Sequence, residues 1–301
     1  MRVGIIGLSK GNGHPFSFAA IVNGFSDEGF ADSGWPVIHG YLKARARDEF
    51  GFDGVRVTHA WTQHADVTAK LCRASLIDHA VEDPLHMLGK VDAVIVARDD
   101  WRSHLPLAQP FLDAGLPVFV DKPLSLDAQE LRYFRGFLES GQLMSCSGLR
   151  FARELASVAD LGALKCIHGA VVLNWERYAV HLLDAVFASV KSRPIEIARN
   201  PAAHESFTLA MNDGSVLALD AIGTGPKTFH LDFFGDRTHV HVDMHDNFAA
   251  FRATLGAFFE MCRRRRPPIA PADTLLAMQV LIAGTAAVPG GPRVAISDFA
   301  I

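Results

Sequence analysis

The 301-residue sequence contains only four cysteines, Cys72, Cys146, Cys166 and Cys262. They are scattered and make no C-x-x-C pair, so neither a disulfide framework nor a zinc-ribbon ligand set is expected. Reduced thiols in a cytoplasmic protein are the simplest reading. An excess of positive charge is also missing. Lys and Arg number 29 against 33 Asp and Glu, a formal net charge of −4, which argues against a nucleic-acid surface. The one basic run, Arg263 to Arg266, precedes Pro267-Pro268 and reads as the last turn of a helix that stops at the prolines. No apolar run is long enough to span a bilayer, and the opening MRVGIIG lacks a signal-peptide layout. Paired carboxylates at hydrolase spacing are not evident, and Ser17 and the other serines lack a nucleophile-elbow context.

What is present is ordinary globular composition, 49% hydrophobic and 21% charged, in a chain long enough for two domains with their own cores. The first part alternates strand and helix. Residues 2–7, RVGIIG, predict a strand buried on both faces. A glycine-rich loop and a helix from Pro15 to about Asn23 follow. After an insertion over residues 25–53, with a helix from about Val37 to Arg47, strands are expected at 55–61, near Ile77 and Val81, at 91–97 and at 117–120. Helices near 65–74 and 103–114 separate them. This alternation implies a Rossmann-type doubly wound parallel sheet, whose ligand crevice lies at the carboxyl ends of its strands. The pattern changes after about residue 125. A helix near 126–140 leads to strands at 164–175, 206–211, 216–222, 228–234 and 238–243, with a hairpin at Asn212-Asp213-Gly214. Helices are expected near 179–190 and 247–263, and a last one from Asp273, as its cap, to Ala286. The expected division is therefore 1–123 and 124–301, the second an α+β domain with a mostly antiparallel open sheet; the C-terminal segment is allowed to pack back on the first domain.

The loop after the first strand, Gly7-Leu8-Ser9-Lys10-Gly11-Asn12-Gly13-His14, offers tight turns and the amino end of a helix to a diphosphate. Its spacing departs from G-x-G-x-x-G, with Ser9 at the second glycine position. A Gly-rich turn without a ligand is the plain alternative. The second strand ends Trp61-Thr62-Gln63-His64, without the acid that usually binds the adenosine ribose. Thr62 and Gln63 are left as candidate ribose contacts, and NAD and NADP both stay open.

Several further segments bear on function. VDAVIVARDDWRSHLPLAQPFLDAGLPVFV leads into Asp121-Lys122-Pro123-Leu124; Arg150 follows the next strand; Phe234-Gly235-Asp236 makes a turn; and Asp273 to Ala287 precedes Val294. On these the chain resembles the glucose-fructose oxidoreductase / inositol dehydrogenase (Gfo/Idh/MocA) family over nearly its whole length, Asp121-Lys122-Pro123 matching the Glu-Lys-Pro motif with a shorter acid. The resemblance implies NAD(P)-dependent hydride transfer at a secondary alcohol of a sugar, polyol or sugar acid. It implies that Lys122 and His181 are catalytic, and that Ala97, Arg98, Asp99, His104 and Asp121 border the cofactor with the loop; Arg98 to Trp101 read equally as an ion-paired surface loop, and His104 as a helix cap. It also implies a homodimer or homotetramer built through the open sheet. His181 and Asp184 are three apart and share one helix face. Histidine suits removal of a hydroxyl proton, although a buried structural histidine is the reading by residue type alone. The family often has an acid four residues before this histidine. Here Arg177 stands there, so Trp175, Arg177, Tyr178, Arg150 and Asp184 are the candidate substrate contacts, with an anionic substrate as one consequence. Two further readings stay open: a non-catalytic cofactor- or sugar-binding regulatory protein, and an NAD-assisted lyase or glycosidase. His239 and His241 share a strand face near Asp243 and His245, but an interface or solvent face is preferred there over a metal site.

Overall fold

The computed structural model describes all residues, Met1–Ile301. The chain divides into two compact units. The first comprises Met1–Ser125, Tyr133–Ser145 and Thr254–Ile269; the second comprises Leu126–Arg132, Cys146–Ala253 and Ala270–Ile301. The expected single cut after residue 123 thus becomes several. The segment Thr254–Ile269 also belongs to the first unit.

The first unit is built on a six-stranded sheet in the order β3-β2-β1-β4-β5-β6, all neighbours parallel. The strands are β1 (Arg2–Ile6), β2 (Arg56–Trp61), β3 (His79–Ala80), β4 (Ala93–Val96), β5 (Val118–Val120) and β6 (Leu143–Met144). The β-branched runs of β1, β4 and β5 are buried on both faces, as central strands under two helical layers must be. Around the sheet stand α1 (His14–Asn23), α2 (Asp27–Ala31), α3 (Pro36–Lys43), α4 (Ala65–Ala74) and α5 (His104–Asp113), and part of α6 (Ala128–Glu139). Pro15 opens α1, where its missing N–H costs nothing. Phe18 of α1 packs on Phe119 of β5, ring centroids 6.1 Å apart, and Phe119 on Phe258 at 5.9 Å. Each such buried ring contributes roughly 2 kcal/mol, which explains why the Thr254–Ile269 segment belongs with this core.

The second unit carries a seven-stranded sheet ordered β12-β11-β7-β10-β9-β8-β13. Its strands are β7 (Leu164–Val171), β8 (Pro194–Arg199), β9 (Glu205–Met211), β10 (Val216–Ala221), β11 (Phe229–Gly235), β12 (His239–Asp243) and β13 (Val294–Ala295). All neighbours are antiparallel except β7 and β10. The helices are α7 (Trp175–Ser189), α8 (Asn247–Arg264, shared with the first unit) and α9 (Pro271–Ala286). Three expectations are corrected here. The strand expected to reach residue 175 ends at Val171 and the helix begins at Trp175, because the Asn174 side chain accepts the Arg177 N–H and caps it. Asp273 does not cap the last helix, which starts at Pro271; its carboxylate faces two arginines instead. β8, with its Pro194 and its Glu and Arg side chains, was not expected at all.

Candidate active site

In the first unit the loop after β1 is stitched to the carboxyl ends of β4 and β5 by two buried carboxylates. Ser9 Oγ donates to Asp99 Oδ1 at 2.5 Å, and Asp99 N–H donates back to Ser9 Oγ at 3.2 Å. The other oxygen of Asp99 lies 3.8 Å from Lys122 Nζ. Lys122 is 2% exposed, so its ammonium is stable there only beside a counter-charge. Asp121 receives Asn12 Nδ2 at 3.1 Å and the His14 ring nitrogen Nδ1 at 2.5 Å. Burial alone would raise the Asp121 carboxyl, but His14, Lys122 and Asn12 outweigh it and hold the group below its usual range. Asn12 Oδ1 also accepts the N–H of His14, the first residue of α1, at 2.7 Å. Gly11, at φ +79°, makes the turn that L-residues resist.

The other residues expected beside the cofactor are placed as follows. Gln63 forms a two-way pair with the Leu8 backbone, accepting the Leu8 N–H at 2.9 Å and donating to the Leu8 carbonyl. Arg98 Nη1 donates to Gln63 at 3.1 Å and pairs with Asp100 through its other nitrogens. Thr62 is buried and its hydroxyl donates to the His64 carbonyl at 2.8 Å, inside its own turn. His104 is fully buried, with its two ring nitrogens 2.9 Å from the carbonyls of Leu124 and Arg98. It ties the segments after β4 and β5 together. Ala97 is buried, its N–H donated to the Ile6 carbonyl.

In the second unit the centre is His181, buried on α7, whose Nδ1 lies 2.6 Å from Ser147 Oγ. Ser147 also gives its backbone N–H to Asp184 Oδ2 at 2.7 Å. Arg150 reaches Asp184 at 3.3 Å and Asp273 at 2.8 Å, and Arg193 joins Asp273 at 2.9 Å. Burial is the main influence on Asp184 and raises its pKa to about 6, against the pull of Arg150 and the Ser147 N–H. Arg150 and Asp184 thus form one ion-paired network with Asp273 and Arg193. Trp175 is also placed in the core: it is 1% exposed, its ring lies 3.9 Å from that of Phe207, and its N–H donates to the Leu281 carbonyl at 3.0 Å. Tyr178 and Arg177 stay half-exposed at the start of α7, Tyr178 with its ring 5.3 Å from His181.

Residues 1–139 match the family model described as an oxidoreductase family, GFO_IDH_MocA, with an NAD-binding Rossmann fold. That segment is similar to this family. The matched residues include the glycine loop after β1 and the buried Lys122. Solved structures extend the likeness of fold over the whole chain. The apo scyllo-inositol dehydrogenase of Lactobacillus casei aligns over 99% of this chain and 98% of its own, with a TM-score of 0.77 at 12% identity. The same enzyme with bound NAD(H) and scyllo-inositol aligns over 99% of both chains, at a TM-score of 0.74 and 12% identity. UDP-N-acetylglucosamine 3-dehydrogenase of Acidithiobacillus ferrooxidans aligns over 96% of this chain and 98% of its own, at a TM-score of 0.71 and 16% identity. No curated protein matches the sequence significantly.

Within the first unit the Arg263–Arg266 run is accounted for locally. Arg263 Nη2 donates to the Asp53 carbonyl and Arg265 Nη2 to that of Gly115, each at 3.1 Å. On the second sheet His241 pairs with Asp232 at 2.7 Å and His239 stacks on Phe234. No three His, Cys, Asp or Glu side chains gather as metal ligands, and no helix is long and apolar enough to cross a membrane. Sequence reasoning missed Ser147, Arg193 and Asp273 as neighbours of the His181 centre. Ser147 left one signal, its place three residues before Arg150; the partners of Asp273 lie 80 and 123 residues away and left none.

Proposed function

We propose that the protein is a nicotinamide-dependent oxidoreductase that acts on the CH–OH group of a sugar, polyol or sugar-acid-like substrate. The observation that carries this is Lys122: a buried ammonium at the carboxyl end of β5, paired with Asp99, in a segment similar to an NAD-binding family. The loop fits a dinucleotide. A Cβ at Gly11 would meet no atom within 4 Å, which leaves the approach to the backbone open as a diphosphate requires. Gly7, Leu8, Ser9, Gly11, Asn12, Gly13 and His14 would hold that diphosphate, with Arg98, Asp99, Asp121 and Lys122 toward the nicotinamide. With no carboxylate after β2 to repel a 2′-phosphate, NADP is as acceptable as NAD. Bound NAD(P) supplies the hydride acceptor.

The chain's own part is to orient the alcohol and take its proton. Lys122 donates to the reacting oxygen. His181 takes the proton: in the tautomer that gives Nδ1–H to Ser147 Oγ, the basic lone pair is on Nε2. The neighbours of known activity support the substrate class, since one binds scyllo-inositol and another is a sugar-nucleotide dehydrogenase. The test is calorimetric titration of intact protein with NADH and NADPH, then coenzyme reduction with a panel of polyols, sugars and sugar acids. Uptake and turnover are expected. No uptake of either coenzyme by folded protein would sink the proposal, and uptake without turnover would leave a binding protein.

A further inference from the structure

Where β1 and β2 part, a side chain continues their pairing. The last backbone rung donates the Gly7 N–H to the Trp61 carbonyl at 2.9 Å. One step further the Gln63 amide stands in for a peptide: Oε1 accepts the Leu8 N–H at 2.9 Å, and Nε2 donates to the Leu8 carbonyl. Arg98 fixes which end of that amide faces which way. Its Nε and Nη2 grip Asp100 at 2.9 and 2.8 Å, and Nη1 donates to Gln63 Oε1 at 3.1 Å. The reversed amide would set its NH2 against two donors and its oxygen against the Leu8 carbonyl.

The consequence falls on the next donor. The Leu8–Ser9 peptide is trans, so its carbonyl and its N–H point opposite ways. With the carbonyl turned to Gln63, the Ser9 N–H is aimed away from β2. On its other side the Ser9 hydroxyl is tied to Asp99. No acceptor in the chain takes the N–H of Ser9, Gly11 or Gly13, although Ser9 is buried and a buried backbone donor needs a partner. Fold stability does not account for the strut. Gln63 is exposed, and there the net gain from two neutral hydrogen bonds is largely offset by the rotamer freedom lost.

We propose that Gln63, locked by Arg98, is a positioning residue for the coenzyme: it turns the Leu8–Ser9 peptide so that the Ser9 N–H, with those of Gly11 and Gly13, is presented to the diphosphate. This rests on the oxidoreductase reading. Gln63, expected from the sequence as a ribose contact, acts here through the loop and need not touch the coenzyme itself.

The experiment measures binding of NADH, NADPH and ADP-ribose by calorimetry, with thermal unfolding on the same preparations, for wild type, Gln63→Met, Arg98→Met and the double variant. Gln63→Met, matched in length but lacking the amide, should weaken all three ligands by a similar factor, about tenfold, since each carries the diphosphate. Its thermal midpoint should move by less than about 3 °C. With ADP-ribose, which lacks the nicotinamide, adding Arg98→Met to Gln63→Met should cost little more, because the guanidinium acts through the amide. With a polyol or sugar that turns over, the loss should fall on the coenzyme KM far more than on kcat. Unchanged ligand binding in Gln63→Met, full additivity of the two substitutions on ADP-ribose, or a midpoint lowered by more than about 10 °C would each overturn the proposal, the last by making the amide a prop of the fold. If wild type and Gln63→Met take up coenzyme equally, only the positioning role fails. If wild type takes up none, the oxidoreductase reading fails and the positioning role falls with it.

Discussion

The two units bury carboxylates in opposite ways. In the first, Asp99 and Asp121 are held by Ser9, Asn12, His14 and Lys122, mostly single-point groups on or beside a loop, each able to turn toward another partner. In the second, Asp184 and Asp273 are held by Arg150, Arg193 and a backbone N–H, and each guanidinium fork is fixed by more than one partner. A lysine ammonium is a point charge that re-partners easily, whereas a planar guanidinium gripping two carboxylates does not. The first arrangement suits a site that must accept a ligand, and the second suits a scaffold that holds one histidine still. Substitutions in the two regions should therefore fail differently, the first in activity and the second in stability.

The sharpest break of this contrast is Arg150→Ala. It leaves the buried Asp184 without its cationic partner, while Asp273 keeps Arg193, and a loss of about 3–5 kcal/mol in unfolding free energy is expected by denaturant titration. A loss below about 1 kcal/mol would mean the network is not structural. Lys122→Met tests the other side. Removing the donor to the reacting oxygen should lower kcat by about 10³-fold, with coenzyme affinity changed far less. A variant that kept wild-type turnover would remove Lys122 from the chemistry.

A smaller effect separates the regions by pH. The folded-state pKa of Asp184, about 6, lies above its ordinary 3.8, so the native protein holds this proton longer than the unfolded chain. Stability from this group is fully present below about pH 4, declines as pH rises to about 6 and is level above. A shift of about two pKa units corresponds to about 3 kcal/mol across that window. Asp184→Asn should flatten this slope in denaturation curves taken between pH 4 and 7. Asp121 has the reverse sign: its carboxyl is held below the usual range, so its contribution is present above the ordinary value and lost as pH falls further. Asp121→Asn should therefore leave the slope between pH 4 and 6 unchanged and reduce acid sensitivity below it.

How much of this was legible in the residues follows from range. β1, β4, the phosphate loop and the Asp121-Lys122-Pro123 turn were readable because each is a continuous segment whose apolar run or glycine content states its own structure. β8 was not, since Pro194 and its polar side chains deny it an apolar run and it is a strand only through β9 and β13. The site shows the same limit. Lys122 was singled out from the Asp121-Lys122-Pro123 segment and His181 through a family resemblance, but residue type could not tell how each arginine is held. Arg150 and Arg177 look alike in sequence, and only the fold shows Arg150 between two carboxylates. Trp175 misled similarly, since its position beside Arg177 says nothing of Phe207 or Leu281, which enclose it.

The mildest substitution probes the loop most directly. Gly11 has φ +79°, and a Cβ there would touch nothing within 4 Å. Gly11→Ala should therefore cost only the backbone preference, about 1–2 kcal/mol, with no clash added. If the loop cradles a diphosphate, the new methyl group stands where the ligand must approach, and coenzyme affinity should fall about tenfold, 1.4 kcal/mol, beyond any change in fold stability. Thermal unfolding and calorimetry on one preparation separate the two terms. Loss of stability with unchanged coenzyme binding would show that the ligand does not lie over this turn, and would move the cofactor's anchor to the Ser9–Asp99 side of the loop.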